Sequence, residues 1–138
     1  MGAWSVDSFG NDTACDWAYG LEEVSDLSLV RETIQKVVDS GNEPLDASDA
    51  EEAIAAVEVL ARLKGNFGER SSYTEATDNW VRAHPQQPPM ILINLASQAL
   101  DRILKPPSEL LDLWQEGEDF AAWKNSVLDL KKRATGLG

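Results

Sequence analysis

The stretch SVDSFGNDTACDW gathers most of the side chains in this chain that could do chemistry. Asp7, Asn11, Asp12, Cys15 and Asp16 follow one another closely along it. Asp12 and Asp16 are four residues apart, so on a helix both carboxylates project from one face. Oxygen ligands placed this way suit a hard cation such as Mg²⁺ or Ca²⁺. The spacing lacks the Asp-x-Asp-x-Asp-Gly run and the closing Glu of a calcium loop. Helix capping is therefore the simpler expectation for this group. A third carboxylate, Glu58, stands in DAEEAIAAVEVLARLKG, where a helical wheel sets it beside Ile54, Val57 and Ala61. A carboxylate on an apolar face must find donors or lose its charge. The donors within reach of such a position are an arginine, the Trp4 indole, or backbone N–H groups of the N-terminal arm. The leading expectation is a clasp that fixes the arm to the body; the functional one is a perturbed acid in a pocket. Asp7, Asp12, Asp16 and Glu58 are thus the candidate binding residues. No catalytic residue, metal-ligand set or cofactor is assigned.

Other reactive groups are sparse. Cys15 and His84 are the one thiol and the one imidazole. They could form a nucleophile–base pair, but nothing in the sequence brings them together or marks a third orienting group. His84 precedes Pro85 and reads as a helix-end residue. A single cysteine excludes an internal disulfide and a multi-cysteine zinc site. GNFG lacks the Lys-Ser/Thr of a phosphate-binding loop.

Charge is the strongest global signal. The formal net charge is −12. Residues 1–60 hold fourteen acids and two bases, Arg31 and Lys36, while residues 61–138 hold ten of each. The whole excess therefore lies in the first part of the chain. Such a field repels nucleic acid and attracts basic partners. No stretch resembles a membrane span or a signal peptide, and Val6 stands where a myristoylation motif needs Ser or Thr. These observations predict a soluble, cytoplasmic protein without nucleic-acid or membrane partners. The oligomeric state is left open.

Helical periodicity must position these groups. It predicts helices over 12–21, capped by Asn11 or Asp12, and over 28–40, with Ser28 as cap and Gly41 as terminator. A third helix runs over 48–64, with a Ser48–Glu51 capping box and Gly65 at its end. TEATDNWVRAH is a short helix stopped by Pro85. MILINLASQALDRIL follows, although MILINL alone also fits a buried strand. SELLDLWQ and EDFAAWKNSVLDLKKR are two further helices separated near Gly117. The expected fold is all-α: one domain over 1–138, a compact bundle of six to seven short helices with the N-terminal arm packed on it. Trp4, Phe9 and Trp17 are expected in the core, since a bundle of short helices needs bulky side chains.

MGAW, then Phe9, Asn11-Asp12, Ala14 and Asp16-Trp17, resemble the start of a bacterial domain-of-unknown-function family that opens Met-Gly-Ala-Trp-Gly. DAEEAIAAVEVLARLKG is similar to that family's alanine-rich helix with a Glu inside it, and EATDNWV to its later tryptophan helix. The resemblance implies a small, mostly helical bacterial domain and no established activity. Ser5 departs from the pattern, which has Gly there; a positive φ at this site would strain Ser5.

Charge segregation, small size and the lack of a catalytic constellation point away from an enzyme. They point to an acidic protein-interaction module for a basic partner, in an immunity-type or regulatory role. The alternative is a small metal-dependent hydrolase using Asp12, Asp16 and Glu58.

Overall fold

Asn11 opens the first helix. Its backbone is extended and its Oδ1 accepts the Ala14 N–H at 2.8 Å, satisfying one of the helix's free donors. From there the computed structural model, which describes residues 5–136, runs through α1 (Asp12–Tyr19), a 3-10 turn (Gly20–Glu23), α2 (Ser28–Val38), α3 (Ala47–Leu63), α4 (Glu75–Ala83), α5 (Met90–Ile103), α6 (Glu109–Gln115) and α7 (Phe120–Thr135). The fold is an all-α bundle. Among the described residues there is no strand, only an isolated parallel bridge between Leu45 and Ser108. MILINL is the opening of α5, because Leu92, Ile93 and Ala96 bury one face at helical spacing.

Two expected caps are replaced by residues just upstream. Ser28 is the first residue of α2 rather than its cap; Asp26 Oδ1 accepts from both the Ser28 N–H and its hydroxyl, at 3.0 and 2.6 Å. The Ser48–Glu51 box does not form. Asp46 caps α3 by accepting from the Ser48 and Asp49 N–H groups. A carboxylate is a stronger acceptor than a hydroxyl at a helix N-terminus, where the dipole also favours it. α1 is two residues shorter than its periodicity predicts, since the chain tightens into the 3-10 turn at Gly20 and Leu21 is buried from there. Gly65 ends α3 with φ 85, as expected of a left-handed terminator.

α3 is the axis of the bundle. It packs against α1, α2, α4, α5, α6 and α7, and every residue from Ala53 to Arg62 is buried. Ala53, Ala55, Ala56 and Ala61 keep its surface narrow, so neighbouring helices approach on all sides. Phe9 and Trp17 join this core, and Trp17 Nε1 donates to Thr33 Oγ1 at 2.9 Å, tying α1 to α2. Trp4 lies outside the described residues. Trp114 and Trp123 stack with centroids 5.8 Å apart where α6 meets α7.

The arm over residues 5–10 turns back on itself. A Cβ on Gly10 would lie 2.7 Å from the Ser5 carbonyl oxygen, so only glycine fits this close approach. Among the described residues, none other than glycine is recorded with positive φ. No described helix is long and apolar enough to cross a membrane.

Candidate functional site

Three segments converge on Glu58. It sits mid-way along α3 and is only 3% exposed. From the C-terminal part of α7, Arg133 donates Nη1 to Glu58 Oε1 and Nη2 to Oε2, both at 2.8 Å. From the arm, the Ser8 hydroxyl donates to Oε2 at 2.7 Å. One turn along α3, Arg62 places Nε 3.6 Å from Oε1. The two-pronged arginine–carboxylate geometry is the strong form of ion pair. It holds the Arg133 guanidinium above its ordinary range, first through the Glu58 hydrogen bond. Glu58 therefore clasps arm, central helix and last helix together, with an arginine and the arm's Ser8 hydroxyl as donors.

Arg62 extends the network. It is 2% exposed, donates Nη2 to the Glu69 carbonyl at 2.6 Å, and sets Nη1 3.3 Å from Asp78 Oδ1 of α4. The contacts to Glu58 and Asp78 are ion pairs without hydrogen-bond geometry, which leaves Arg62 Nε, Arg62 Nη1 and Asp78 Oδ1 without hydrogen-bond partners. Glu58, Asp78, Arg62 and Arg133 form a charge-balanced quartet, so the charges compensate within the bundle. The Phe67 ring centroid lies 5.3 and 4.2 Å from the central carbons of the Arg62 and Arg70 guanidinium groups. The 66–69 loop is closed over the network: Asn66 Nδ2 donates to the Arg133 carbonyl at 2.9 Å, and a Cβ on Gly68 would meet the Arg133 guanidinium at 2.8 Å.

A cavity of about 260 Å³ opens onto Glu58, Arg62 and Arg133 of this quartet. Ser8, Glu58, Arg62, Thr74, Ser126 and Arg133 line its inside, and Asp7, Glu69 and Asp129 also line it. The four candidate residues are thus divided. Glu58 and Asp7 share the cavity. Asp12 and Asp16 lie on the exposed face of α1 and do not line it. No group of three or more His, Cys, Asp or Glu among the described residues could hold a metal ion. The hydrolase alternative would need Asp12, Asp16 and Glu58 in one place; here Glu58 is spent on Arg133 and Ser8 on the buried side of the arm.

The thiol and imidazole have other attachments. Cys15 Sγ donates to the Phe9 carbonyl at 3.4 Å. Burial, then the charges of Asp12 and Asp16, push its pKa up, which depletes the thiolate that a nucleophile needs. His84 rests against Trp80 with centroids 4.8 Å apart, its Nδ1 3.0 Å from the Trp80 carbonyl.

Residues 2–126 match the family described as Domain of unknown function (DUF4259). The chain belongs to this family. The DUF4259 match includes Ser8, Glu58, Arg62 and Asp78, and it ends before Asp129 and Arg133 of α7. No curated protein and no solved structure matches the chain. Of the clasp's members in this DUF4259 chain, Arg62 carried a local signal, because it lies one helical turn from Glu58. Arg133 carried none; nothing local connects it to a residue 75 positions earlier.

The acidic half has its own electrostatic consequence. Burial, foremost, pushes the carboxyls of Glu51 and Glu52 up, and Asp46 and, for Glu52, Asp49 add to it. A carboxyl raised in the folded state favours folding while protonated. That contribution is present below the ordinary glutamate range and is lost as pH rises through the raised value. Above that window both charges oppose the fold. Glu51→Gln/Glu52→Gln is therefore expected to raise the melting temperature at pH 7 by about 1–3 °C, with the gain vanishing toward pH 4, in thermal scans across pH.

Proposed function

We propose that this chain is a non-enzymatic module that binds a basic protein partner through its acidic surface, in an immunity-type or regulatory role. One observation carries the reading. Among the described residues, only Asp49, paired with Lys36 at 3.1 Å, and Glu58 of the fourteen acids in residues 1–60 enter an ion pair. Most of the remaining acids are exposed and enter no ion pair; Glu51 and Glu52 are half-buried. A chain that needed negative charge for solubility alone has no need to segregate it into one half.

α1 offers the best-formed part of this surface. Asp12, Asp16 and Tyr19 are exposed at spacings of four and three, which puts them on one face. Tyr19 is 63% exposed. An aromatic flanked by carboxylates is a favourable anchor for a lysine- or arginine-rich surface, because tyrosine contributes contact area and the acids steer the encounter. The Asp7 carboxylate extends the same charge along the arm.

The test is affinity capture from native lysate followed by binding measurements at about 0.05 and 0.5 M salt. A basic protein is expected, with affinity falling at least tenfold over that range. Asp12→Lys/Asp16→Lys, both at exposed positions, is expected to weaken it at least as much while lowering the melting temperature by only a few degrees, the loss of the Asp12 carboxylate from the first turn of α1. Binding indifferent to salt and to this reversal would sink the proposal.

A further inference from the structure

The groove between α2 and α5 is unlike the rest of the acidic half. It encloses about 660 Å³. Leu27, Pro89, Ile91, Leu92 and Leu95 form its apolar side, and Ile91 is 77% and the adjoining Met90 68% exposed. Large aliphatic side chains held this far into water at a groove are a mark of an interaction surface.

The charge along its rim says which occupant fits. Asp26, Arg31 and Glu32 stand on the α2 side. Lys36 is already paired with Asp49, so Arg31 is the one base of the first sixty residues without an ion pair among the described residues. Glu32, its immediate neighbour, has none either. Two chains of net charge −12 repel one another over most of their surfaces. They can approach closely only where the acidic excess is small, and this rim, with one base against two acids, is such a place. In a two-fold interface each residue meets a counterpart from the same patch, so a self-complementary patch must carry both signs side by side. Arg31 beside Glu32 and Asp26 meets that requirement.

We infer that the α2–α5 groove is a homodimer interface: a second copy of this chain packs its own exposed Ile91 ridge into the groove, and Arg31 of each chain pairs with Glu32 or Asp26 of the other. The interface is separate from the acidic face of α1, and it stands whether or not a basic partner exists.

Sedimentation equilibrium of the full chain from about 1 to 500 µM tests it. The mass is expected to double from 15.1 kDa across this range. Ile91→Asp should hold it at the monomer value with an unchanged melting temperature, since the side chain is in solvent in the single chain. Arg31→Glu should weaken the dimer at least tenfold, and Arg31→Glu/Glu32→Arg should restore it, because the swap keeps both signs in the patch. A chain that stays monomeric to 500 µM, a dimer that survives Ile91→Asp, or a swap that fails to restore association overturns the inference.

Discussion

Glu58→Gln is expected to destabilise the protein by about 3–5 kcal/mol, the range for removing one member of a buried ion pair. The side chain keeps its size, so the effect is electrostatic rather than a cavity. Gln cannot balance Arg133, whose two prongs now rest on both Glu58 oxygens, nor Arg62, which is 2% exposed and retains only Asp78 as a charge partner. The Ser8 hydroxyl also loses a charged acceptor. Because the clasp joins the arm, α3 and α7, the loss falls on three segments at once. Urea denaturation followed by circular dichroism should show the midpoint moving with little change in slope. A double-mutant cycle with Arg133→Gln isolates the pair. The double variant should be less destabilised than the sum of the singles by at least about 1 kcal/mol, since removing Arg133 also removes a guanidinium that Glu58→Gln leaves with only the exposed Asp129, 2.8 Å from its Nε, as charge partner. A Glu58→Gln loss below about 1 kcal/mol would mean that the bidentate pair contributes little and that Glu58 is free for other work.

Arg102→Ala is the second large effect, expected at about 2–3 kcal/mol. One guanidinium serves four backbone carbonyls: Nε donates to Gly41 at 2.9 Å, Nη1 to Lys105 at 2.8 Å, and Nη2 to Glu43 at 2.6 Å and to Pro107 at 2.7 Å. These oxygens belong to the α2–α3 and α5–α6 connections. The same two connections meet through the Leu45 N–H donating to Pro107 and the Glu109 N–H donating to Leu45, at 3.1 and 3.0 Å. Each charged hydrogen bond is worth about 1.5–3 kcal/mol when buried; water can reach these carbonyls once the side chain is gone, so the total stays well below four times that figure. Arg102→Lys should recover less than half, because one ammonium cannot span the planar fork's acceptors. Hydrogen exchange offers the local readout: the Leu45 and Glu109 amides should lose protection before the core of α3 does.

Both predictions concern residues whose importance was unevenly visible beforehand. Glu58 stood out because the helix around it is apolar on nearly every side, a conflict that a one-dimensional pattern displays. Its arginine partner was anticipated only as a residue type, and Ser8 not at all. Arg102 gave no signal; it reads as an ordinary polar position on the solvent side of α5, and its four acceptors are loop carbonyls that exist only once α2, α3, α5 and α6 are assembled. The caps failed for a related reason. Ser28 and Ser48 fit the usual N-terminal pattern, but Asp26 and Asp46 stand two residues upstream and accept the N–H groups of Ser28 and Ser48 themselves, so each helix starts earlier. Choosing between adjacent caps requires the path of the entering chain.

The sequence by itself determined the all-α class, the number of helices to within one, the burial of α3, Phe9 and Trp17, and the concentration of negative charge in the first sixty residues. These follow from periodicity, punctuation by Gly and Pro, and composition, which are properties of neighbouring residues. Tertiary structure alone decided that Glu58 pairs with Arg133, that Asp12 and Asp16 stay in solvent away from it, that Arg102 ties two connections together, and that Arg31 borders an apolar groove. Each of those depends on a distance between residues remote in the chain, and packing sets such distances only when the helices close around α3.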